Sequence, residues 1–409
     1  MTISEIRSLT LPLGVGFFFA FFSSSSFSEE LNINEIDPIV LNQIIFEDAI
    51  SLINEGRFDE ASEILANLYK STQEKRVKLE WARSLYLGGR KQEADKLFKE
   101  VNEDNPPMMV QEKIDIFRND IAISRGKIDA TVGMIYDTNP RAISGDHVIN
   151  LFGSIFDYKV GYSKKPQVGL NYAMAFEKGF DDKNKLVATF LVNGNQFSDS
   201  AFNKTKINES ILYKFPDIPA LEVSASYEQF IYAEKLLYTS PSLTLKHTVE
   251  LGRQSYWKNE FSYSSIKYPD YQYFSGPMYG VRSIYSQSIN EKLFIEGFIG
   301  FEKSKSEEAS YSFDSRSIGF GHTFLVPEYY LKGQVKLFAS TRSYEKPDPI
   351  FGLVRKDNNY NVSIGLNKTN LNLFGMQPVV EMMYERNNSD IGIYSYKRAI
   401  LSLNLNRIF

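Results

Sequence analysis

The sequence predicts an α plus transmembrane β-barrel fold. A tetratricopeptide-like helical domain over 29–126 is followed over 127–409 by an antiparallel barrel of about 14 strands. Three observations carry this. A small-residue pattern recurs at an offset of 33 in the first half, period-two segments of 11 to 16 residues fill the second, and the connections between them alternate in length.

Leu9 to Phe22 is an apolar run of 14 residues, preceded by Arg7 and followed by "SSSSFSEE". This is the layout of a secretory signal peptide, and it falls short of the about 20 residues that a membrane-spanning helix needs. Small residues at Ser26 and Ser28 place the expected cleavage near Ser28, making 1–28 the signal peptide. With no cysteines, an exported chain is held by packing and hydrogen bonds, without disulfides or thiolate metal sites. A net charge of -4 gives no footprint for nucleic acid.

Aromatic content separates the two halves, since 23 of the 25 tyrosines lie after residue 126. In the first half "FEDAISLINEGRFDEASEIL" is echoed by "LEWARSLYLGGRKQEADKLF", aligning Ala49 with Ala82, Gly56 with Gly89 and Ala61 with Ala94. Tetratricopeptide units run about 34 residues, with small residues where two helices cross and a closing proline. Ala82, Leu85, Ala94, Phe98 and Pro106 fit; the first copy has Leu65 and Gln73 in place of the aromatic and the proline. A further helix from Pro107 to Ile121 is expected to cap the pair. The alternative is an ordinary pair of helical hairpins without a groove.

The second half alternates. "LEVSASYEQFIY" sets Leu221, Val223, Ala225 and Tyr227 against Glu222, Ser224, Ser226 and Glu228, and "YNVSIGLN" repeats the pattern. Fourteen such segments are expected: 147–160, 165–177, 184–196, 203–214, 218–231, 240–251, 256–267, 277–289, 292–303, 310–324, 328–340, 358–370, 376–386 and 394–409. Soluble strands usually have about 5 or 6 residues and tilted membrane-crossing strands about 9 to 11, so length argues for a membrane. A barrel with both ends on one side needs an even number. "KIDATVGMIYD" (127–137) makes fifteen, so either one segment is misassigned or 127–137 is a linker strand outside the barrel.

Connections traced back from the end run "NNSDIGI", "NLNLFG", a very long "RSYEKPDPIFGLVRKD", then a short "VPE". Brief turns on one side and longer loops on the other are the habit of outer-membrane barrels. The chain ends as "AILSLNLNRIF", a regular strand. In a closed barrel such a strand pairs along its length with the first.

Little catalytic chemistry is offered. His147, His247 and His322 are in no zinc-binding spacing and read as lumen or loop residues, and neither a Gly-x-Ser-x-Gly elbow nor a phosphate loop occurs. The expectation is a non-enzyme with no cofactor and no metal. Glu222, Glu228, Glu296, Glu302, Glu381, Glu385, Lys336 and Arg398 are expected to form an inward polar wall of both signs.

Particular residues then carry a resemblance. "NPPMMVQEKIDIF" at the domain junction, "YDTNP", "RKDNNY" with Arg355 and Asp357, and "GMQPVVEMMYERNNSDIGIYSYKRAILSLNLNRIF" make the chain resemble the surface lipoprotein assembly modulator family of Gram-negative bacteria. In the last block Gly375, Pro378, Tyr384, Arg386, Asn388, Ser389, Tyr394, Tyr396, Arg398 and Phe409 sit at the family's pattern positions. Phe409 is expected to serve as closure and assembly signal. The resemblance implies an outer-membrane translocator with its helical domain in the periplasm, delivering a client surface lipoprotein or related exported protein. Outer-membrane lipids and the barrel assembly machinery are the further partners it implies; nucleic acid is not one. A passive porin for solute or polysaccharide export and an outer-membrane hydrolase stay open as alternatives.

Overall fold

A computed structural model describes residues 37–408, apart from 104–105, 107, 145–147, 152–153, 158–164, 182, 216–217, 219, 253 and 291. The expected signal peptide 1–28, His147 and Phe409 therefore lie outside the described residues. The chain divides into two compact units, one reaching Ala122 and the other starting at Ile123.

The first unit is helical: α1 (Pro38–Asn54), α2 (Phe58–Thr72), α3 (Lys75–Leu87), α4 (Lys91–Glu103) and α5 (Met108–Arg125). Asp37 caps α1 by accepting from the Ile39 amide at 2.9 Å, with Pro38 in the first turn where its missing N–H costs nothing. The two hairpin turns are built alike. Gly56 and Gly89 take left-handed φ of 82° and 84°, which lets the Arg57 and Arg90 amides reach back to the carbonyls of Leu52 and Leu85, each at 2.9 Å. Ala49, Ala61, Ala82 and Ala94 are all fully buried, as are Leu65 and Phe98 at the next shared offset. Pro106 follows α4, half-buried. Phe98 stacks on Phe117 of α5 with centroids 5.2 Å apart. Phe98→Ala is expected to cost about 3–5 kcal/mol of this unit's stability, read as a lowered melting point of the helical circular-dichroism signal.

The second unit is a closed antiparallel barrel. Its strands are β1 (Lys127–Asp137), β4 (Gln167–Gly179), β5 (Leu186–Phe197), β6 (Lys204–Lys214), β7 (Leu221–Tyr232), β8 (Lys235–Gly252) and β9 (Ser255–Ile266). They continue as β10 (Gly276–Asn290), β11 (Leu293–Ser304), β12 (Phe313–Val326), β13 (Leu331–Pro347), β14 (Val354–Lys368), β15 (Gln377–Ser389) and β16 (Tyr396–Ile408). Two short strands, β2 (Val148–Leu151) and β3 (Ser154–Asp157), pair only with each other.

The strand total of 14 stands, but its membership changes. Residues 127–137 are neither a linker nor a fifteenth strand: β1 is the first barrel strand, pairing with β4 on one side and with β16 from Asp129↔Ile408 to Asp137↔Ile400 on the other. The described parts of the expected strand 147–160 are not in the wall: β2 and β3 pair with each other, antiparallel, as a separate two-stranded sheet. The connection "RSYEKPDPIFGLVRKD" is also shorter than expected. β13 runs on to Pro347 and β14 starts at Val354, leaving 348–353 as the loop.

Alternation sorts the two faces. Val132, Met134, Tyr136, Val168, Leu170, Leu401 and Leu403 are exposed and point outward, whereas Lys127, Ile135, Asp137, Ser402 and Asn404 are buried on the inner side. Barrel strands of 11 to 18 residues exceed the about 9 to 11 needed to cross hydrocarbon. We call the end holding residues 127 and 408 the lower rim and that holding 137 and 396 the upper rim.

Candidate functional site

The inward side chains form three polar layers. Near the lower rim Lys127 bridges Asp129 and Glu177, the latter at 3.5 Å. In the middle layer β1 contributes Gly133, and Asn171 of β4 reaches across it to Asn404 of β16, Nδ2 to Oδ1 2.7 Å, while Asn404 donates to Glu381 at 3.2 Å. The gap is there because Gly133 has no side chain: a Cβ on it would lie 2.2 Å from Asn404 Oδ1 and 2.4 Å from the Leu403 carbonyl.

The upper layer is the densest. Arg398 of β16 donates through Nε to both oxygens of the fully buried Asp137 at 3.0 Å and lies 3.9 Å from Glu385 of β15. Glu385 accepts in turn from Tyr396 at 2.7 Å and Asn359 at 3.0 Å. Beyond β1 the chain does not leave the mouth directly. Asn139, 1 % exposed, donates its side-chain amide to the Lys397 and Ile143 carbonyls, and Lys204 of β6 donates to the Pro140 carbonyl. Arg141 donates to Ala201 at 3.4 Å and covers the Phe202 ring at 4.9 Å. The stretch 138–144 thus runs between β16 and β6, above an apolar cluster of Ile135, Phe197, Phe202 and Ile400.

A second cluster lies beside it. The Arg355 guanidinium is held between the rings of Tyr344 and Tyr394, 3.8 and 3.9 Å from their centroids. Tyr394, in the loop between β15 and β16, donates to Asp348 at 3.0 Å, and Asn387 donates to the Tyr394 carbonyl at 2.7 Å. Burial and the bond to Asp348 push the Tyr394 hydroxyl up to about 12. A raised folded value means that this interaction stabilises fully below the ordinary tyrosine range, about 10, and is lost as pH climbs towards about 12. Tyr394→Phe is expected to cost about 1 kcal/mol at neutral pH and to remove the part of the alkaline decline between those two values, checked by denaturant unfolding across that range.

The residues singled out from sequence split by face. Arg355, Asp357, Ser389, Tyr394, Tyr396 and Arg398 gather on the lumen side of the upper layer, with Asp357 directly opposite Ser389 in the ladder. Pro378, Tyr384, Arg386 and Asn388 alternate outward; Arg386 donates to Asn388 at 2.8 Å. Gly375 takes a φ of 80° in the lower turn between β14 and β15. The inward set of Glu222, Glu228, Glu296, Glu302, Glu381, Glu385, Lys336 and Arg398 does share the lumen face: Glu228 meets Lys206 and Tyr238, and Glu296 meets Ser286. His247 and His322 depart from expectation, since they stand two residues from exposed Leu245, Val249 and Phe320, the spacing that puts side chains on one face, and so lie on the outward face. A cavity of about 480 Å³ opens beside Glu296, Phe298, Lys336, Phe338, Asn359 and Glu385.

Sequence reasoning missed Asp137, Arg342, Tyr344 and Asp348. Asp137 has the same parity as Lys127 and Asp129 and was legible once 127–137 is a wall strand. The other three lie in a stretch whose Pro347 and Pro349 read as loop.

A family model described as surface lipoprotein assembly modifier matches residues 127–409. No curated protein matches the chain. Among solved structures it is similar to an anion-selective porin from Comamonas acidovorans, at 9 % identity over 69 % of this chain and 98 % of that one, with a TM-score of 0.39. It is also similar to OccAB3 of Acinetobacter baumannii (8 %, 70 % and 100 %, 0.41) and to outer-membrane expressed OmpT of Vibrio cholerae (7 %, 69 % and 97 %, 0.40).

Proposed function

Because the chain belongs to the surface lipoprotein assembly modifier family, we propose that it sits in the Gram-negative outer membrane and helps deliver a lipoprotein, or a related exported protein, from periplasm to cell surface. In this reading the helical unit lies in the periplasm and engages the client, and the barrel acts as conduit or folding template. Outer-membrane lipids cover the outward apolar face, and the barrel assembly machinery inserts the chain. The protein acts as a translocator and not as an enzyme.

The observation that carries this reading is the upper lumen. Arg398, Asp137, Glu385, Arg355 and Asp357 bring both charge signs to one inward layer together with aromatic rings. A wall of mixed sign holds no single kind of ion strongly, yet offers donors, acceptors and apolar faces to a passing chain.

Deleting the gene is expected to leave a surface lipoprotein synthesised and acylated but protected from protease added to intact cells, with display restored by a plasmid copy. Unchanged display of every lipoprotein would end this reading.

A further inference from the structure

Among the described residues of the upper lumen, Nε of Arg342, Nε of Arg355 and Oδ1 of Asp357 are buried without a hydrogen-bond partner. They belong to one patch. Arg342 of β13 lies directly opposite Asp357 of β14, and Arg355 is two residues before Asp357 on β14, on the same face. Arg355 Nε is 3.3 Å from Asp357 Oδ2, a charge contact whose alignment leaves the N–H without an acceptor.

The patch is also built rather than loose. The Arg342 guanidinium lies over the Phe313 ring at 4.2 Å, and Phe313 pairs with the buried Tyr344 whose ring carries one side of Arg355. Tyr394 covers the other side and is itself fixed by Asp348 and Asn387. With one face of Arg342 and two of Arg355 on rings, the edges of the guanidinium groups are what remain for hydrogen bonding.

We propose that this patch is a clamp for the backbone of an extended polypeptide segment, with Arg342 and Arg355 donating to its carbonyls and Asp357 accepting from one of its amides. The proposal deepens the delivery reading above and rests on it. Two donors and one acceptor, from the Arg342–Asp357 cross-strand pair and from Arg355 two residues away on the same face, match a strand edge, whose C=O and N–H groups alternate along the chain. A simple oxyanion would satisfy the two donors and be repelled by Asp357. A saccharide would need a ring face to stack on, and one face each of Phe313, Tyr344 and Tyr394 in this patch is taken by a guanidinium group.

The test uses the full-length protein purified in detergent and a fluorescent, uncharged, unfolded peptide of Gly, Ser, Asn and Leu, followed by anisotropy. Wild type is expected to bind it and to discriminate against the same peptide N-methylated at alternate backbone positions. The paired variant Arg342→Gln with Arg355→Gln should bind about tenfold more weakly or worse, the worth of one or two hydrogen bonds. Tyr360→Phe, on the outward face of the same strand, should bind as wild type does, and heat-shifted gel mobility verifies that each variant is folded. Equal binding by the paired variant, equal binding of the N-methylated peptide, displacement by inorganic phosphate or maltoheptaose, or no binding by wild type at all would each overturn the clamp; the last would leave ordered water as the partner of these atoms. In cells the two readings separate. Display that survives gene deletion ends the delivery reading, whereas display lost on deletion but kept by the paired variant ends the clamp alone.

Discussion

Asp137→Ala is expected to destabilise the folded barrel by about 3–5 kcal/mol, because it strips a buried cation of its partner. Asp137 is fully buried at the top of the first strand, and Arg398 binds it from the last strand through Nε at 3.0 Å to each oxygen. Without it the guanidinium keeps only Glu385, at 3.9 Å, too far for a hydrogen bond. The penalty therefore comes from the orphaned charge more than from the lost contact. Replacing both partners, Asp137→Ala with Arg398→Met, should recover most of the stability, since the orphaned cation is then gone and Glu385 keeps its hydrogen bonds from Tyr396 and Asn359. Guanidinium unfolding in lipid vesicles, followed by gel mobility, measures both. A double variant no better than the single one would mean that the upper lumen is wet enough to solvate Arg398.

Gly133→Val is expected to be nearly as damaging, by about 3 kcal/mol, combining overpacking with loss of the Asn171–Asn404 bond. Its backbone is in an ordinary conformation, so the cost is one of space. A Cβ would meet Asn404 Oδ1 at 2.2 Å, the Leu403 carbonyl at 2.4 Å and Asn171 Oδ1 at 2.6 Å. The two amides can swing away, but the carbonyl belongs to the neighbouring strand and moves only with it. Gly133→Ala should therefore stay harmful even where Asn171→Ser and Asn404→Ser have cleared the amides. Restoration of full stability in that triple variant would contradict a tight pairing of β1 with β16.

Much of this fold is written locally. Each strand after Gln167 was legible because inward polar and outward apolar residues alternate over a length no soluble strand needs. The helical turns were legible through Gly56 and Gly89, whose left-handed backbones recur at the offset of 33. The choice between 127–137 and 147–160 was not, because both alternate and only pairing distinguishes them. Strand β1 finds two continuous partners, whereas β2 finds only β3. The site was half legible. The last block pointed to Tyr394, Tyr396 and Arg398, but their partners Asp137, Tyr344 and Asp348 come from distant segments that closure of the ring brings together. Prolines hid Tyr344, since Pro347 and Pro349 signal a loop where β13 in fact runs on to Pro347, and Asp348 lies in the short loop that follows.

The pairing of first strand with last can be measured directly, because a chain without cysteines gives an unobstructed background for disulfide trapping. Val132 and Leu405 are directly opposite in the ladder between β1 and β16. With Val132→Cys and Leu405→Cys, mild oxidation of intact cells should trap a closed species of altered gel mobility, and Val132→Cys with Leu401→Cys should trap none. Trapping of Leu405→Cys by Ile149→Cys instead, or equal trapping at both positions on β16, would contradict a barrel that begins at Lys127.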